Sequence, residues 1–474
     1  MEPPRPTPAA IALAAAGLAL IAVTTCDVQR LIAVAPPSRW TVAAYLALTA
    51  AAFAIFLRVL QWTRDPRLQP GGILALLLLP VPIWLALSQA APAMSIDVWS
   101  YLGHGALVNA GDNPYVTPVK ALADREYGRE LASRGWLPVH GVSPYGPLWT
   151  RVEQLADGVA SGVETRMRIV KAVVAVGALW CGYLIWRVLG TIRSPYRLLG
   201  TALFLWNPLL LVELGAEGHN DALAIAFALA AVLLFVQRRT GQGVLALTAS
   251  AAVKITTLTI APSLAALAWR DRRSAWRRLL PMAAAALVAL GLAALLFGDL
   301  WVGRTTLAGV REHGLARVAP STTGLLLVVL GSDAAGGRAD ALLPAIGLAV
   351  LGLFTLWSVS RVTDRASALR STGEVALAAL VLGPSYWPWY AATAVALLAL
   401  SPGPAHVAAI VLFSVCGRLA APLDRLRLNG AMDWPTEAVV TTLVGLWLPV
   451  TVLVLSALWR RTRQPDAAYA AVHP

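Results

Sequence analysis

Runs of about 20 apolar residues recur along nearly the whole chain, and that recurrence limits the possible folds more than any other feature. A run of that length spans a hydrocarbon core of about 30 Å, where only helices and closed barrels satisfy their own backbone. The clearest runs lie near residues 9–25, 40–61, 71–92, 167–190, 219–236, 279–298, 341–360 and 437–459, with weaker ones near 198–214 and 404–420. These runs read as membrane-spanning helices. Charged residues make up only 13% of the 474 positions and apolar ones 58%, a balance that fits a bilayer and not water.

Two further apolar stretches, 242–268 and 374–401, are too long for one span and short for two. Lys254 interrupts the first, and Gly383, Pro384 and Pro388 interrupt the second. Broken helices are tolerated at membrane depth where protein or water satisfies the freed backbone, so both stretches read as hairpins of short helices. Short basic loops then set the orientation: those around Arg64, Arg187, Arg238, Arg270, Arg361 and Arg460 all fall on one face, which the positive-inside rule makes cytoplasmic. The reading is an all-α polytopic membrane protein with about 12–14 transmembrane helices and both termini cytoplasmic. The run 8–25 follows only one basic residue, Arg5, and is expected to stay as an uncleaved first helix.

The formal charge of +13 is thus a topology signal with contact to anionic headgroups, not a nucleic-acid surface. Cys26, Cys181 and Cys416 show no CxxC spacing, and the six histidines contain no HExxH. The cysteines read as small buried hydrophobes, and no metal motif is present.

The extracytoplasmic face receives the long segment 93–166, which turns polar as SIDVWSYLGHGALVNAGDNPYVTP from Ser95. Asp97, Tyr101 and His104 fall at i, i+4 and i+7, along one face of a short amphipathic helix. Asp97 has two roles open to it: a general base for a hydroxyl, or the cap of the helix that follows. Tyr115 ends the NAGDNPY stop, and Tyr145 sits in the rigid turn Pro144–Pro147. These aromatics, with Trp136 and Trp149, either stack on a sugar or anchor the interface.

A second polar turn on that face carries Glu213, Glu217, His219, Asn220 and Asp221. Ionisable groups at the edge of a span are costly unless used or solvated, so substrate contact and an ordinary capped loop both remain open. Lys254, alone among apolar residues, needs an anion: a phosphate or one of the outer carboxylates. Arg304, Arg311 and Arg317 can add phosphate donors. Trp387, Trp389 and Tyr390 crowd the second broken hairpin, where they line a pocket or anchor the interface.

In DVWSYLGHGALVNAGDNPY, SPYGPLW, WNPLLLVELGAEGHNDAL, VKITTLTIAP and YWPWY, the chain resembles the GT-C superfamily of polytopic glycosyltransferases. Within it, the pattern is similar to the actinobacterial polyprenol-phosphomannose-dependent mannosyltransferases that extend lipomannan and lipoarabinomannan. The resemblance implies inverting transfer of mannose from polyprenyl phosphate to a lipid-linked glycan on the outer face of the plasma membrane. It implies Asp97 as base, and Tyr101, His104, Tyr115, Tyr145, Glu213, His219, Asn220, Asp221, Lys254, Trp387, Trp389 and Tyr390 as substrate-binding residues. No cofactor is implied, and with Ile96 and Val98 beside Asp97 the paired-acid motif of many relatives is missing, so no metal is expected. Four regions follow: N-terminal helices 1–92, the catalytic loop 93–166, a helical core 167–298, and an outer loop with a variable C-terminal region 299–474. Transfer of glucose or arabinofuranose from the same carrier, a lipid-linked-sugar flippase and an envelope scaffold are the competing readings, although no internal repeat of the transporter kind is visible.

Overall fold

Helices account for all the regular structure among the residues that the computed structural model describes, 6–136, 141–270, 275–311, 320–329 and 338–463. Nine of these helices are long and apolar enough to cross a membrane: Pro8–Val34, Arg39–Trp62, Pro70–Gln89, Val163–Thr191, Arg197–Ala216, Leu279–Leu300, Leu342–Ser360, Pro404–Leu428 and Trp434–Trp459. Asp221–Val236, Ile255–Trp269 and Pro388–Leu398 are shorter apolar segments. The expectation of an all-helical polytopic membrane protein is met.

Both interrupted stretches reverse direction at their polar break. Thr240–Val253 packs on Asp221–Val236 and brings Lys254 back beside Asp221, at the start of that helix. Ala261–Trp269 then leaves along the helices Arg338–Ser360 and Arg365–Leu382, where the Ser263 hydroxyl lies 2.8 Å from that of Ser371. The second hairpin rises through Arg365–Leu382, turns at Gly383–Trp387 and returns as Ala391–Leu398 against its own first arm. The two tips meet at one end of the bundle. Arg64, Arg187, Arg238, Arg270 and Arg361 lie at or just beyond the ends of helices, away from the helix interiors.

The segment 93–166 caps the bundle on the polar side with three helices, Asp97–Asn109, Glu126–Ser133 and Pro147–Val159, where sequence periodicity indicates one. The first and third pack together. The amide of Asn109 joins them by donating to Asp157, at 2.8 Å. Trp149 and Trp136 are buried, and Trp149 packs edge-on against Tyr101 at 5.1 Å. Their place in the core takes both out of contention as a sugar platform.

Apolar contact drives helices together only weakly in lipid, because the tails are as apolar as leucine, so small residues and buried hydrogen bonds contribute more. The helix Arg197–Ala216, 94% buried, holds its position with such bonds. The Trp206 indole donates to Leu76 O at 2.8 Å, the Trp84 indole donates to Leu205 O at 3.1 Å, and Asn207 donates to Ser414 Oγ at 2.8 Å. By contrast, Leu279–Leu300 and Leu342–Ser360 are each only 11% buried and turn apolar sides outward.

Candidate active site

Local backbone geometry sets the polar turn. Asn207 caps a short helix through Leu209 N–H, Pro208 occupies its first position, and Leu211–Ala216 widens into one turn of π-helix. Such turns shift register by one residue and are frequent at functional sites. Here the widening places Glu213 and Glu217 in different surroundings. Gly218 follows at φ +77°, and a Cβ there would meet Val98 Cγ2 at 2.8 Å and Lys171 Cγ at 2.9 Å. Only glycine fits that passage, which turns His219 toward Asp97.

Glu217 works on the backbone. Its carboxylate accepts the N–H groups of Ala93, Met94 and Ser95 at 2.8–3.2 Å. Lys171, fully buried, donates to the carbonyls of Ala90 and Ala216. The Ser95 hydroxyl accepts Asp97 N–H at 3.0 Å. The residues leading into the helix Asp97–Asn109 are therefore fixed by charged partners from two other helices. Asp97 itself is the first helical residue, where the helix dipole favours a carboxylate. Ile96, and not Asp97, holds the cap position, and the Asp97 carboxylate reaches the cavity.

A cavity of about 350 Å³ opens beside Asp97, which is 15% exposed. Its polar lining includes Ser95, His104, Tyr145, Glu213, Asp221 and Lys254. Trp387, Trp389 and Tyr390 form an aromatic side, and Leu348, Leu351, Ala376, Ala379 and Leu380 an apolar wall. The pocket reading of the aromatics agrees with this placement.

Behind Asp97 runs a buried chain of charge. His219 Nδ1 lies 3.2 Å from Asp97 Oδ2, His219 Nε2 lies 3.6 Å from Glu213 Oε2, and Glu213 Oε1 accepts from Arg418 at 2.8 Å. Trp389 covers the imidazole face at 3.9 Å between centroids and 12° between planes. Burial alone would lower the His219 pKa, but the hydrogen bond to Asp97 and the neighbouring Glu213 carboxylate push it up to about 9. At neutral pH His219 is an imidazolium clamped between two carboxylates.

His104 differs. Its Nδ1 lies 3.4 Å from Glu153 Oε1, with both side chains buried. Burial lowers His104 to about 4, partly offset by Asp97, and pushes the Glu153 carboxyl well above its ordinary range. Both shifts run toward the uncharged forms. Burial likewise raises the phenols of Tyr101 and Tyr145, which stay protonated and pack edge-on at 5.2 Å.

Several sequence-derived residues sit behind the lining. Tyr101, His219 and Asn220 are almost or fully buried and reach the cavity only through Tyr145 and Asp97. Tyr101 Oη accepts Asn220 N–H at 3.4 Å. Tyr115 is corrected outright: it is buried, its hydroxyl pairs with Thr150 at 2.9 Å, and its ring lies against Phe297, so it packs the cap and does not line the cavity. Lys254 takes the carboxylate alternative, bonding both oxygens of Asp221 at 2.7 and 2.8 Å, with its ammonium 4.6 Å from the Tyr390 ring centroid. Arg304 and Arg311 are exposed and do not line the cavity, and Arg317 lies outside the described residues. Sequence reasoning missed Arg418, Asp424, Arg427 and Glu437, which come from the far end of the chain, as well as Glu153. Gly146 was also missed: its N–H bonds Val253 O at 3.1 Å, and a Cβ would stand 2.3 Å from Ala252 O. That contact docks the Tyr145 turn on the Lys254 tip.

Residues 7–271 match the family described as "Alpha-(1->6)-mannopyranosyltransferase, N-terminal domain". The alpha-(1->6)-mannopyranosyltransferase A of Mycobacterium tuberculosis is 29% identical over 335 residues, covering 65% of this chain and 62% of that protein. That of Corynebacterium glutamicum is 27% identical over 177 residues, 35% of this chain and 33% of that protein. The aligned part is less than two thirds of either relative's length. No solved structure matches.

Proposed function

The chain belongs to the alpha-(1->6)-mannopyranosyltransferase family, and from that membership we propose that it transfers mannose from a polyprenyl phosphate to a lipid-linked mannan at the outer face of the plasma membrane. The observation that carries this reading is the Asp97 carboxylate, held by a buried imidazolium at the edge of a cavity with one polar and one apolar side.

The acceptor hydroxyl oxygen attacks C1 of the mannosyl phosphate while Asp97 removes its proton. The C1–O bond breaks, and the polyprenyl phosphate leaves with the electron pair. Single displacement inverts the centre, so a β-linked donor gives an α-linkage. A carboxylate within hydrogen-bond reach is suited to the proton step, which typically contributes about 10²- to 10⁴-fold. Lys254 serves the leaving phosphate by giving up part of its contact with Asp221 as charge builds on the phosphate oxygens. The aromatic side faces the sugar, and the apolar wall takes the first isoprenoid units.

The reaction is proposed to need no metal. Of the cavity acids, Asp221 is engaged by Lys254, Glu213 by Arg418, and Asp424 and Glu437 by Arg427.

The test is transfer of radiolabelled mannose from synthetic polyprenyl phosphomannose to a short α-(1→6)-mannoside by purified protein, with Asp97→Asn alongside and chelator present or absent. Product from wild type in both conditions, and at least about 10²-fold less from Asp97→Asn, is the expected result. Absence of product, with the lipid-linked sugar moved between leaflets of vesicles, would replace this reading with a flippase.

A further inference from the structure

A second charged group lines the same cavity and has no part in the mechanism above. The helix Leu423–Leu428 presents Asp424 and Arg427, and the first turn of Trp434–Thr442 presents Glu437. The segment between them turns at Asn429 and Gly430, and Asp433 caps the next helix by accepting Thr436 N–H at 2.9 Å. Arg427 Nη2 lies 2.6 Å from Asp424 Oδ1, and its Nε lies 2.7 Å from Glu437 Oε2. Glu437 is only 1% exposed, while Arg427 and Asp424 are 23% and 29% exposed. One guanidinium is thus held rigid between two carboxylates.

The position of this triad relative to Asp97 is fixed. Arg425, two residues before Arg427, donates through Nε to Met94 O, and Met94 N–H is held by Glu217. Asn429 donates to Ile32 O at 3.0 Å and ties the same turn to the first helix. The triad lies beyond residues 7–271, which match the family domain.

We propose that Asp424, Arg427 and Glu437 form the subsite for the acceptor saccharide, a neutral chain of hexose units; this rests on the transferase reading above. The two carboxylates offset the charge of Arg427, so the group is a poorer phosphate site than a lone cation and suits the hydroxyls of a neutral sugar. The partly exposed Asp424 carboxylate can accept from a sugar O–H, Arg427 offers N–H groups to ring and glycosidic oxygens, and buried Glu437 holds the guanidinium in place. The Lys254 side, carrying the ammonium, is left to the donor phosphate. The cavity then offers its two substrates chemically distinct parts of one lining, which Asp97 shares.

Asp424→Asn and Arg427→Gln, with Arg427→Lys as the conservative variant, are assayed for KM of a short α-mannoside and of the polyprenyl phosphomannose separately. The expected result is an acceptor KM raised about tenfold or more, as for removal of hydrogen bonds to charged groups, with donor KM within about twofold. A rise in donor KM alone, or no change in either, overturns the proposal. Should Arg427→Gln not fold, the partly exposed Asp424→Asn still decides the matter. Saturation-transfer NMR of the same mannoside on wild type in nanodiscs separates the two readings. A transfer signal present with wild type and absent with the variants supports the subsite even if no mannose is transferred, and no signal with wild type overturns it.

Discussion

Two buried histidine–carboxylate pairs flank the helix Asp97–Asn109, at 3.2 Å for His219–Asp97 and 3.4 Å for His104–Glu153, and they rest in opposite protonation states. Distance does not separate them. His219 lies between two carboxylates, and one of these, Glu213, is in turn balanced by Arg418. His104 has a single acid, whose carboxyl burial itself pushes toward the protonated form. Burial favours the uncharged form of any group, and only enough fixed counter-charge reverses that preference. The charged pair faces the proposed chemistry. The neutral one holds two helices of the cap together.

The largest expected difference is in stability. Glu213→Gln leaves Arg418, 2% exposed, without its carboxylate, and such a loss costs about 3–5 kcal/mol. Glu153→Gln replaces a carboxyl already protonated and costs under about 1 kcal/mol. Thermal unfolding in one detergent compares the two, and equal losses would mean that both pairs are charged. Activity comes next. His219→Gln removes the clamp on the proposed base and lowers kcat about 10- to 100-fold with acceptor KM little changed, while His104→Gln keeps kcat within about threefold. A matching loss in both would break the distinction between a positioning and a structural histidine.

The pH dependences run in opposite directions. With its pKa raised to about 9, His219 contributes stability that is full below its ordinary value of about 6.5 and is lost as pH climbs through 9. With His104 lowered to about 4, the unfolded chain binds a proton near pH 6.5 that the fold refuses, so stability falls as pH drops from there toward 4. Histidine-labelled NMR resolves this among six histidines: one resonance moves near pH 9 and one near 4, whereas both moving near 6.5 would erase the contrast. The smallest effect is Tyr101→Phe, which deletes the 3.4 Å acceptor for Asn220 N–H and the hydroxyl bond to Tyr145 and lowers stability by about 1 kcal/mol.

What was legible in the sequence follows the physics of isolated signals. A lysine inside an apolar run announces a break and a counter-ion; for Lys254 the sequence favours a donor phosphate over a carboxylate, and the structure supplies Asp221. Asp97 and the 213–221 turn stand out because charge is rare beside spans. Periodicity placed Tyr101 on the Asp97 stripe, but not the Trp149 and Tyr145 rings that bury it. Arg418 lies 205 residues from Glu213 and Glu153 lies 49 from His104, and local pattern carries no information about such pairings. The Tyr115 misplacement has the same origin: a turn signal marks where the chain bends and says nothing of which way the ring then faces.

The carboxylate of Glu217 occupies three consecutive backbone amides just ahead of Asp97. Segments beside active sites are commonly the first to open and exchange their protons with solvent. Here the amides of Ala93, Met94 and Ser95 should resist deuterium uptake for as long as those of a buried helix. A strand of chain so fixed needs no ordering by an incoming ligand, so the association step carries no entropic tax for assembling it.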